Sequence, residues 1–507
     1  MSRRLSSIVV AVALSLALPR CAAAQTGSTG GAQAPGVRVL RVGTSGDYAP
    51  FSFQVQSDAV APAGAGAPPV ALSGFDIEIA RRFAASLGYQ VEFVRFQWPE
   101  LARDLAAGRF DVAMSGVTMR ADRSVLGRFT VPVAQTQAIA LSWKAARAST
   151  VRQLNRRTCR IAVNAGGYLE GVARKVFPLS QIIALPSNEA VRMALLDRST
   201  DAVITDNLEE KQWTKGVAGV VRIGPLSNAS KAYLVRADRE QLAEELDAWL
   251  LAREHDGMLA SLRSSRLQQD AALPVATPLV ALISTVSERM SLMPLVWAAK
   301  HKAGQPIEDE SQEARVLDAA VAATSEAAGQ ASRPAPDAER VRAFFRSLIE
   351  AGKDVQRHLE EEERARARVP AQRKQAANAP AQQESAPAVA GAEPGEKDAA
   401  SPAPDQSAAE AAARAAQAAS EAAIQGRSRA QPAQPEKIAL FDLQSEIRPA
   451  LGRINVKLAR LIVAMDTPLS AEAVQRPLRI ALDEYRLRPG HLESISDSIA
   501  ALSVPRR

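Results

Sequence analysis

At 507 residues the chain is too long for one hydrophobic core, so two or three domains are expected. Charged residues are 23% and apolar residues 47%, an ordinary balance for a soluble protein. The formal charge of +7 is modest for this length and forms no basic stripe, which points weakly to anionic partners and gives no case for nucleic acid.

Arg3 and Arg4 precede an apolar run over residues 8–18, and "CAAAQ" then offers small residues for cleavage near Ala24. Residues 1–24 are expected to be a secretory signal peptide, too short to span a membrane. Cys21 would suit a lipoprotein box, but Arg20 directly before it fits poorly. Cleavage after Ala24 leaves one thiol, Cys159, which rules out an intrachain disulfide and suggests a buried small residue. No later run is expected to be long and apolar enough to cross a membrane. The mature protein is therefore expected to be exported, periplasmic and without stable membrane association.

Residues 25–36 form a Gly/Ala/Ser-rich leader. From about residue 38, short β-rich runs alternate with amphipathic helices. "VRVLRVG" reads as a strand, "FDIEIARRFAASLG" as a helix, "QVEFVRF" as a strand, "WPELARDLAAG" as a helix and "FDVAMSG" as a strand. The pattern resumes with "CRIAVNAGG", "NEAVRMALLDRS", "DAVITD", "KAYLVR" and a helix near 238–254. Such alternation predicts an α/β fold with largely parallel sheets. The insert "SDAVAPAGAGAPPVAL" is a Pro/Gly/Ala loop between the first strand and the first helix.

From about residue 277 the segments 277–303, 308–328 and 338–366 have helical periodicity and few strand formers. Residues 369–436 are rich in Ala, Pro, Gln and Glu, cannot bury enough surface to fold, and are expected to be a disordered insertion with at most a transient Ala-rich helix near 407–424. Helical patterns return in "FDLQSEIRPALGRINVKLARLIVAM", "SAEAVQRPLRIALDEYRL" and "HLESISDSIAAL". The second half thus reads as one all-α domain split by the insertion.

One stretch, "SERMSLMPLVWAAKHKAGQPIED", is a mostly apolar helix that aims two cations inward. Arg289 and Lys300 are eleven residues apart, about three turns, so they share a side with Val286, Met293 and Val296. Pro294 should kink this helix or break a hydrogen bond. A lone cation on such a helix usually snorkels to solvent, and Asp309 would suit a helix N-terminus. Only the joint spacing lifts these residues above that reading.

The run "LRVGTSGDYAPFSF…SGFDIEIARRFAASLG…FQWPELARDLAAGRFDVAMSGVTMRADR" resembles the periplasmic amino-acid-binding proteins, in which two α/β lobes close over a ligand. The resemblance covers about residues 38–268, with lobe one at 38–135 and 233–268 and lobe two at 136–232. It implies that Arg123 clamps a ligand carboxylate, a task suited to a two-pronged guanidinium. Within that family, "TSGDYAPFSF", "NAGGYLE", "TDNLEEKQ" and "SKAYLV" resemble the cyclohexadienyl dehydratases, which convert prephenate to phenylpyruvate and arogenate to phenylalanine. The resemblance implies that Glu209 is the general acid and that Asp47, Asn164 and Lys231 are pocket positions. Such a reaction removes a hydroxyl and a carboxylate together. A carboxyl kept neutral in a closed cleft suits the proton delivery, cations suit the substrate carboxylates, and aromatisation makes a metal unnecessary. Trp98 is a candidate wall for the ring, or a core residue opening a helix. Arg120 and Tyr168 are local differences that bear on the pocket.

The helical half resembles the secreted gamma type of all-helical (AroQ-type) chorismate mutases, most strongly over "LVALISTVSERMSLMPLVWAAKHKAGQPIEDESQEARVL" with its Arg-x10-Lys-x8-Asp spacing, and also in "FFRSLIEAGKDVQ" and "DLQSEIRPALGRINVKL". It covers about 272–368 and 437–503. Chorismate rearranges by an intramolecular pericyclic shift, so the protein need only hold the compact conformer and stabilise charge growing on the ether oxygen. The resemblance implies that Lys300 and Gln356 donate to that oxygen, that Arg289 and Arg448 bind carboxylates, and that Asp309 and Glu313 accept from the hydroxyl. The family pattern has an Arg three residues after the Asp, where Gln312 stands. Arg315 shares its helix face and is expected to keep the cation there. Gly352 stands where a polar residue is common, and no cysteines are available for the disulfide of some relatives.

A mutase makes prephenate and the N-terminal resemblance consumes it. The expected chain is an α/β two-lobed periplasmic-binding-protein fold followed by an all-α chorismate mutase domain, bifunctional from chorismate to phenylpyruvate. Its expected partners are small dicarboxylates (chorismate, prephenate, arogenate), with a second copy of the chain as a candidate, and no cofactor or metal. The competing class is an amino-acid-type binding protein for transport or sensing, fused to an active or degenerate mutase. Glu209 discriminates, because a binding protein needs no general acid.

Overall fold

The computed structural model describes residues 38–55, 71–146, 148–377 and 441–503, with 367–377 described by their backbone alone. The expected signal peptide, the leader, most of the Pro/Gly/Ala loop and residues 378–436 of the tract lie outside the described residues.

Two five-stranded sheets organise the first half. The first has the strand order Gln90–Arg95, Val39–Thr44, Val112–Ala113, Leu234–Arg236, Gly127–Phe129. Its first three strands are parallel, and Leu234–Arg236 runs antiparallel to both neighbours. The second has the order Gln181–Leu185, Arg160–Asn164, Ala202–Asp206, Ala134–Trp143, Val220–Lys231, with the last two strands antiparallel. A three-stranded sheet, Asp47–Tyr48, Ser52–Val55 and Ala71–Ser73, lies beside the first. The predicted "KAYLVR" strand divides: Lys231 ends a strand of the second sheet and Leu234 begins one of the first. The reason is topological, because the chain crosses between lobes at Ala232–Tyr233.

Short loops aim polar groups from these sheets into the space between them. Gly74, at φ 128°, opens the helix Phe75–Leu87, and a Cβ there would lie 2.3 Å from the Phe51 carbonyl oxygen. Glycine is required at so close an approach, and it brings Asp76 to the helix start, fully buried.

The second half is helical: Pro278–Ser291, Met293–Lys302, Glu310–Gln330 and Ala338–Ala377, then Arg448–Ala464, Ala471–Leu482 and Pro489–Leu502. Thr277 caps the first through its hydroxyl, which accepts from the Val280 N–H at 3.4 Å, with Pro278 at the first position. The predicted single helix 277–303 breaks at Leu292, because Pro294 removes a donor from the ladder and starts the next helix instead. The helix Ala338–Ala377 runs past the expected boundary at 368, through Pro370, so its last nine residues fall in the stretch read as disordered.

Two expectations need correction. Pro278–Lys302, 25 residues of hydropathy 1.4, is long and apolar enough to cross a membrane, contrary to the sequence reading. However, 67% of that window is buried inside the fold, the position of a core helix. Cys159 is half-buried rather than buried, its thiol 3.6 Å from the Gln153 carbonyl. One apolar cluster runs through both halves, joining Leu40, Val42 and Phe83 to Ile283, Phe344 and Leu458. The helix Arg448–Ala464 rests on the short helix Ala121–Leu126 and the strand Gly127–Phe129 of the first lobe.

Candidate active sites

The first site lies between the two sheets. Glu209 opens a short helix after the strand Ala202–Asp206 and is 2% exposed. Its Oε2 accepts from Thr205 Oγ1 at 2.8 Å. Asp206 Oδ1 accepts from the backbone N–H groups of Leu208 and Glu209 at 2.9 and 3.0 Å, fixing the turn that presents Glu209. Burial foremost, then the Asp206 charge, push the Glu209 carboxyl well above the ordinary range, against the opposing Thr205 hydrogen bond and Lys231. A shift in this direction favours the protonated carboxyl, the form a general acid needs.

Lys231 is 5% exposed and reaches into the same space. Its Nζ donates to Tyr48 Oη and Thr118 Oγ1, both at 2.9 Å, and stands 3.8 Å from Asp206 Oδ2. Burial lowers its pKa, while Asp206 and Glu209 oppose that shift. Tyr48 donates across the lobes to Asp206. Arg123 is buried, with Nη1 on the Thr118 carbonyl at 3.1 Å and its guanidinium 5.8 Å from the Trp98 ring centroid. Burial, aided by Arg120, brings it down to about 9. Trp98 is half-buried and meets Tyr48 edge-on at 5.9 Å, so it serves as wall and core together. Asn164 Nδ2 donates to Asn188 Oδ1 at 2.5 Å, leaving Asn164 Oδ1 buried without a partner. Asp47 is exposed at the rim. Tyr168, held by Ser227 at 3.0 Å, is pushed up to about 12 by burial.

Sequence reasoning missed Tyr48, Thr118, Thr205 and Asp206 here. Tyr48 and Asp206 stand inside the quoted "GDY" and "TDNLE", and alternation along "DAVITD" would have turned Thr205 and Asp206 to opposite faces.

The second site is a cavity of about 460 Å³ among the helices. Arg289, Lys300, Asp309, Glu313, Arg315, Gln356 and Arg448 all line it, although they come from five helices or their caps. Arg289 is buried, and its Nε donates to Asn455 Oδ1 at 3.3 Å and its Nη1 to the Leu348 carbonyl at 3.1 Å. Burial lowers it to about 10. Lys300 Nζ donates to the Ile307 carbonyl at 2.6 Å; burial lowers its pKa, opposed by Asp309 and Glu313.

Asp309 does two things. Oδ1 caps the helix Glu310–Gln330 through the Gln312 N–H at 3.0 Å, and Oδ2 stands 3.4 Å from Arg448 Nη2. The Gln312 hydrogen bond is the main cause of its lowered pKa. Gln356 Nε2 donates to the Gly352 carbonyl at 3.2 Å, and its Oε1 is buried without a partner. Arg315 Nη2 donates to Gln312 Oε1 at 2.8 Å, and both residues line the cavity. A Cβ at Gly352 would lie 2.7 Å from Met293 Sδ and 3.8 Å from Arg289 Nη1, so glycine lets this wall come close.

Lys353 and Asn455 also line the cavity and were missed. Lys353 Nζ bridges Glu313 at 3.2 Å and Glu350 at 2.7 Å. Its position one turn before Gln356 was the available signal. Arg289, Lys300, Arg315, Lys353 and Arg448 face two carboxylates, Asp309 and Glu313, so the cavity suits a small dianion.

Residues 40–266 match the family model of bacterial extracellular solute-binding proteins, family 3, and residues 280–357 match that of chorismate mutase type II. A cyclohexadienyl dehydratase of Pseudomonas aeruginosa is 33% identical over 226 residues, covering 44% of this chain and 80% of that protein. An arginine-binding extracellular protein of Bacillus subtilis is 24% identical over 262 residues, covering 50% of this chain and 94% of that protein. Among solved structures, an ancestral amino-acid-binding protein described as a precursor of cyclohexadienyl dehydratase is 27% identical, with a TM-score of 0.41, covering 45% of this chain and 95% of its own.

Proposed function

We propose, because the chain belongs to the family 3 bacterial extracellular solute-binding proteins and carries a chorismate mutase type II domain, that it is a bifunctional enzyme of aromatic amino-acid biosynthesis. The helical cavity rearranges chorismate to prephenate. The interlobe cleft converts prephenate to phenylpyruvate, or arogenate to phenylalanine. Export by the segment 1–24 and a periplasmic location are part of the proposal, in keeping with the extracellular family.

In the helical cavity Arg289 and Arg448 hold the two carboxylates and so select the compact conformer. Lys300 leaves the Ile307 carbonyl to donate to the ether oxygen as its bond breaks, joined by Gln356. Arg315, tethered to Gln312, supplies the cation on the Glu310–Gln330 helix. Asp309 and Glu313 accept from the ring hydroxyl.

In the cleft, Arg123 and Lys231 orient the carboxylates. Glu209 gives its proton to the departing ring hydroxyl, which leaves as water. The electron pair of the ring-to-carboxylate bond moves into the ring, which becomes aromatic as carbon dioxide departs. Glu209 is then reprotonated from solvent. Asp47 and Asn164 bind the substrate at the rim and on the second lobe, and Trp98 walls the ring.

The observation that carries this reading is Glu209: buried beside Asp206, with its pKa raised by burial and by that charge, it suits a proton donor, a group that a transport or sensing protein would not need. The purified chain given prephenate alone is expected to form phenylpyruvate. Unchanged prephenate, bound but not consumed, would favour the binding-protein alternative.

A further inference from the structure

The helical half and the first lobe meet at a buried charged junction. Glu288, Lys457 and Ser124 are 5%, 2% and 2% exposed. Glu288 Oε1 accepts from Ser124 Oγ at 2.8 Å, and Oε2 stands 3.4 Å from Lys457 Nζ. Lys457 Nζ also donates to the carbonyls of Phe129 at 3.1 Å and Thr130 at 2.9 Å, both in the first lobe. Every hydrogen-bonding direction of the ammonium is thus used. Taking this pair out of water costs several kcal/mol, and apolar residues would often hold a domain interface as well. What such a pair adds is a fixed register.

The register concerns the two arginines read above as carboxylate clamps. Ser124 follows Arg123 in the chain, and Glu288 precedes Arg289. Ser124 and Arg123 share the helix Ala121–Leu126, only six residues long, which therefore moves as one piece. Arg453 Nη2 also holds that helix, on the carbonyls of Ser124 at 3.2 Å and Val125 at 3.0 Å. On the other side, Arg289 Nε donates to Asn455, which shares the helix Arg448–Ala464 with Arg453 and Lys457. That helix has two polar faces. Arg448, Gly452 and Asn455 line the cavity, while Arg453, Lys457 and Arg460, spaced four and three apart, meet the first lobe.

We propose that Glu288 couples the two sites: its carboxylate ties the helix of Arg123 to the helices that hold Arg289, so that filling the helical cavity changes the affinity of the interlobe cleft for its own dicarboxylate, and the reverse. The inference rests on the reading of Arg123 and Arg289 as substrate-binding groups. Such a coupling is reciprocal by linkage.

The test uses the full chain and steady-state kinetics with prephenate, with and without a saturating unreactive bicyclic dicarboxylate that mimics the compact chorismate conformer. In the unaltered protein the mimic shifts KM for prephenate by roughly fivefold or more while kcat holds. Glu288→Gln and Ser124→Ala each abolish the shift while both reactions continue. Ser124→Ala is the milder change and decides the matter should Glu288→Gln fail to fold. Absence of any shift in an unaltered chain that runs both reactions overturns the proposal. A shift that persists in both variants also overturns it, since the coupling then does not run through this junction. An unaltered chain that turns over neither substrate overturns the functional reading, and this inference with it.

Discussion

Thr205 Oγ1 donates to Glu209 Oε2 at 2.8 Å inside a closed interlobe space, while Asp206, next in the chain, caps the turn that carries Glu209. These contacts aim the carboxyl, while burial and then the Asp206 charge raise its pKa against the Thr205 hydrogen bond. Glu209→Gln keeps the shape and removes the proton. We expect it to slow conversion of prephenate by roughly 10²–10⁴-fold, with the rate of chorismate loss unchanged. Equal prephenate turnover by the variant would remove Glu209 from the mechanism.

The same carboxyl sets a pH dependence. Its pKa in the folded protein is raised well above 4.5 by burial and by Asp206, so the acid form persists upward from the ordinary carboxylate range and is lost as pH rises through the raised value. The kcat for prephenate is therefore expected to fall on the alkaline side, and the mutase rate, which depends on the Lys300 ammonium and not on Glu209, to follow a separate profile. Parallel pH profiles for the two reactions would contradict this.

Lys300→Ala removes the donor expected to face the ether oxygen. Loss of one such donor is expected to lower the mutase kcat by roughly 10²–10³-fold, and prephenate supplied directly should still be consumed at the original rate. A loss of both reactions would indicate a folding defect rather than a lost donor.

Arg315 and Gln312 are joined at 2.8 Å on the cavity wall. Arg315→Ala should raise KM for chorismate by roughly tenfold, the scale of one lost charge-assisted hydrogen bond. The exchanged pair Gln312→Arg with Arg315→Gln should restore it. An Arg315→Ala variant with an unaltered KM would show that Lys353 and Arg448 suffice.

Asp76 accepts from the Gly116 N–H at 2.5 Å and from Tyr233 Oη at 2.9 Å, yet burial pushes it up to about 7. A carboxyl whose folded pKa is raised contributes stability that is fully present below its unfolded pKa and is lost as pH rises through the folded value. Asp76→Asn is expected to reduce the fall in denaturation midpoint between about pH 4 and about pH 8. Superimposable profiles would exclude Asp76 as its source.

Much of this was legible because it is periodic. The strands and helices of the first half follow apolar alternation, and the spacing of Arg289, Lys300 and Asp309 marked one wall of the helical cavity. What escaped the sequence depends on pairings between distant segments. Tyr48 meets Asp206 only after the lobes come together, and Lys353 becomes a cavity residue only once its helix faces Glu313. Arg453 and Lys457 look like ordinary solvated charges until the first lobe covers them. Pro294 announced a break, and the structure gives its form: two helices meeting at Leu292, with the proline in the first turn of the second.

The account is tested most directly by giving the purified full chain chorismate and following chorismate, prephenate and phenylpyruvate together over time. It predicts loss of chorismate, a transient rise of prephenate and steady formation of phenylpyruvate. Prephenate that accumulates without phenylpyruvate, or chorismate that stays unchanged, would contradict it.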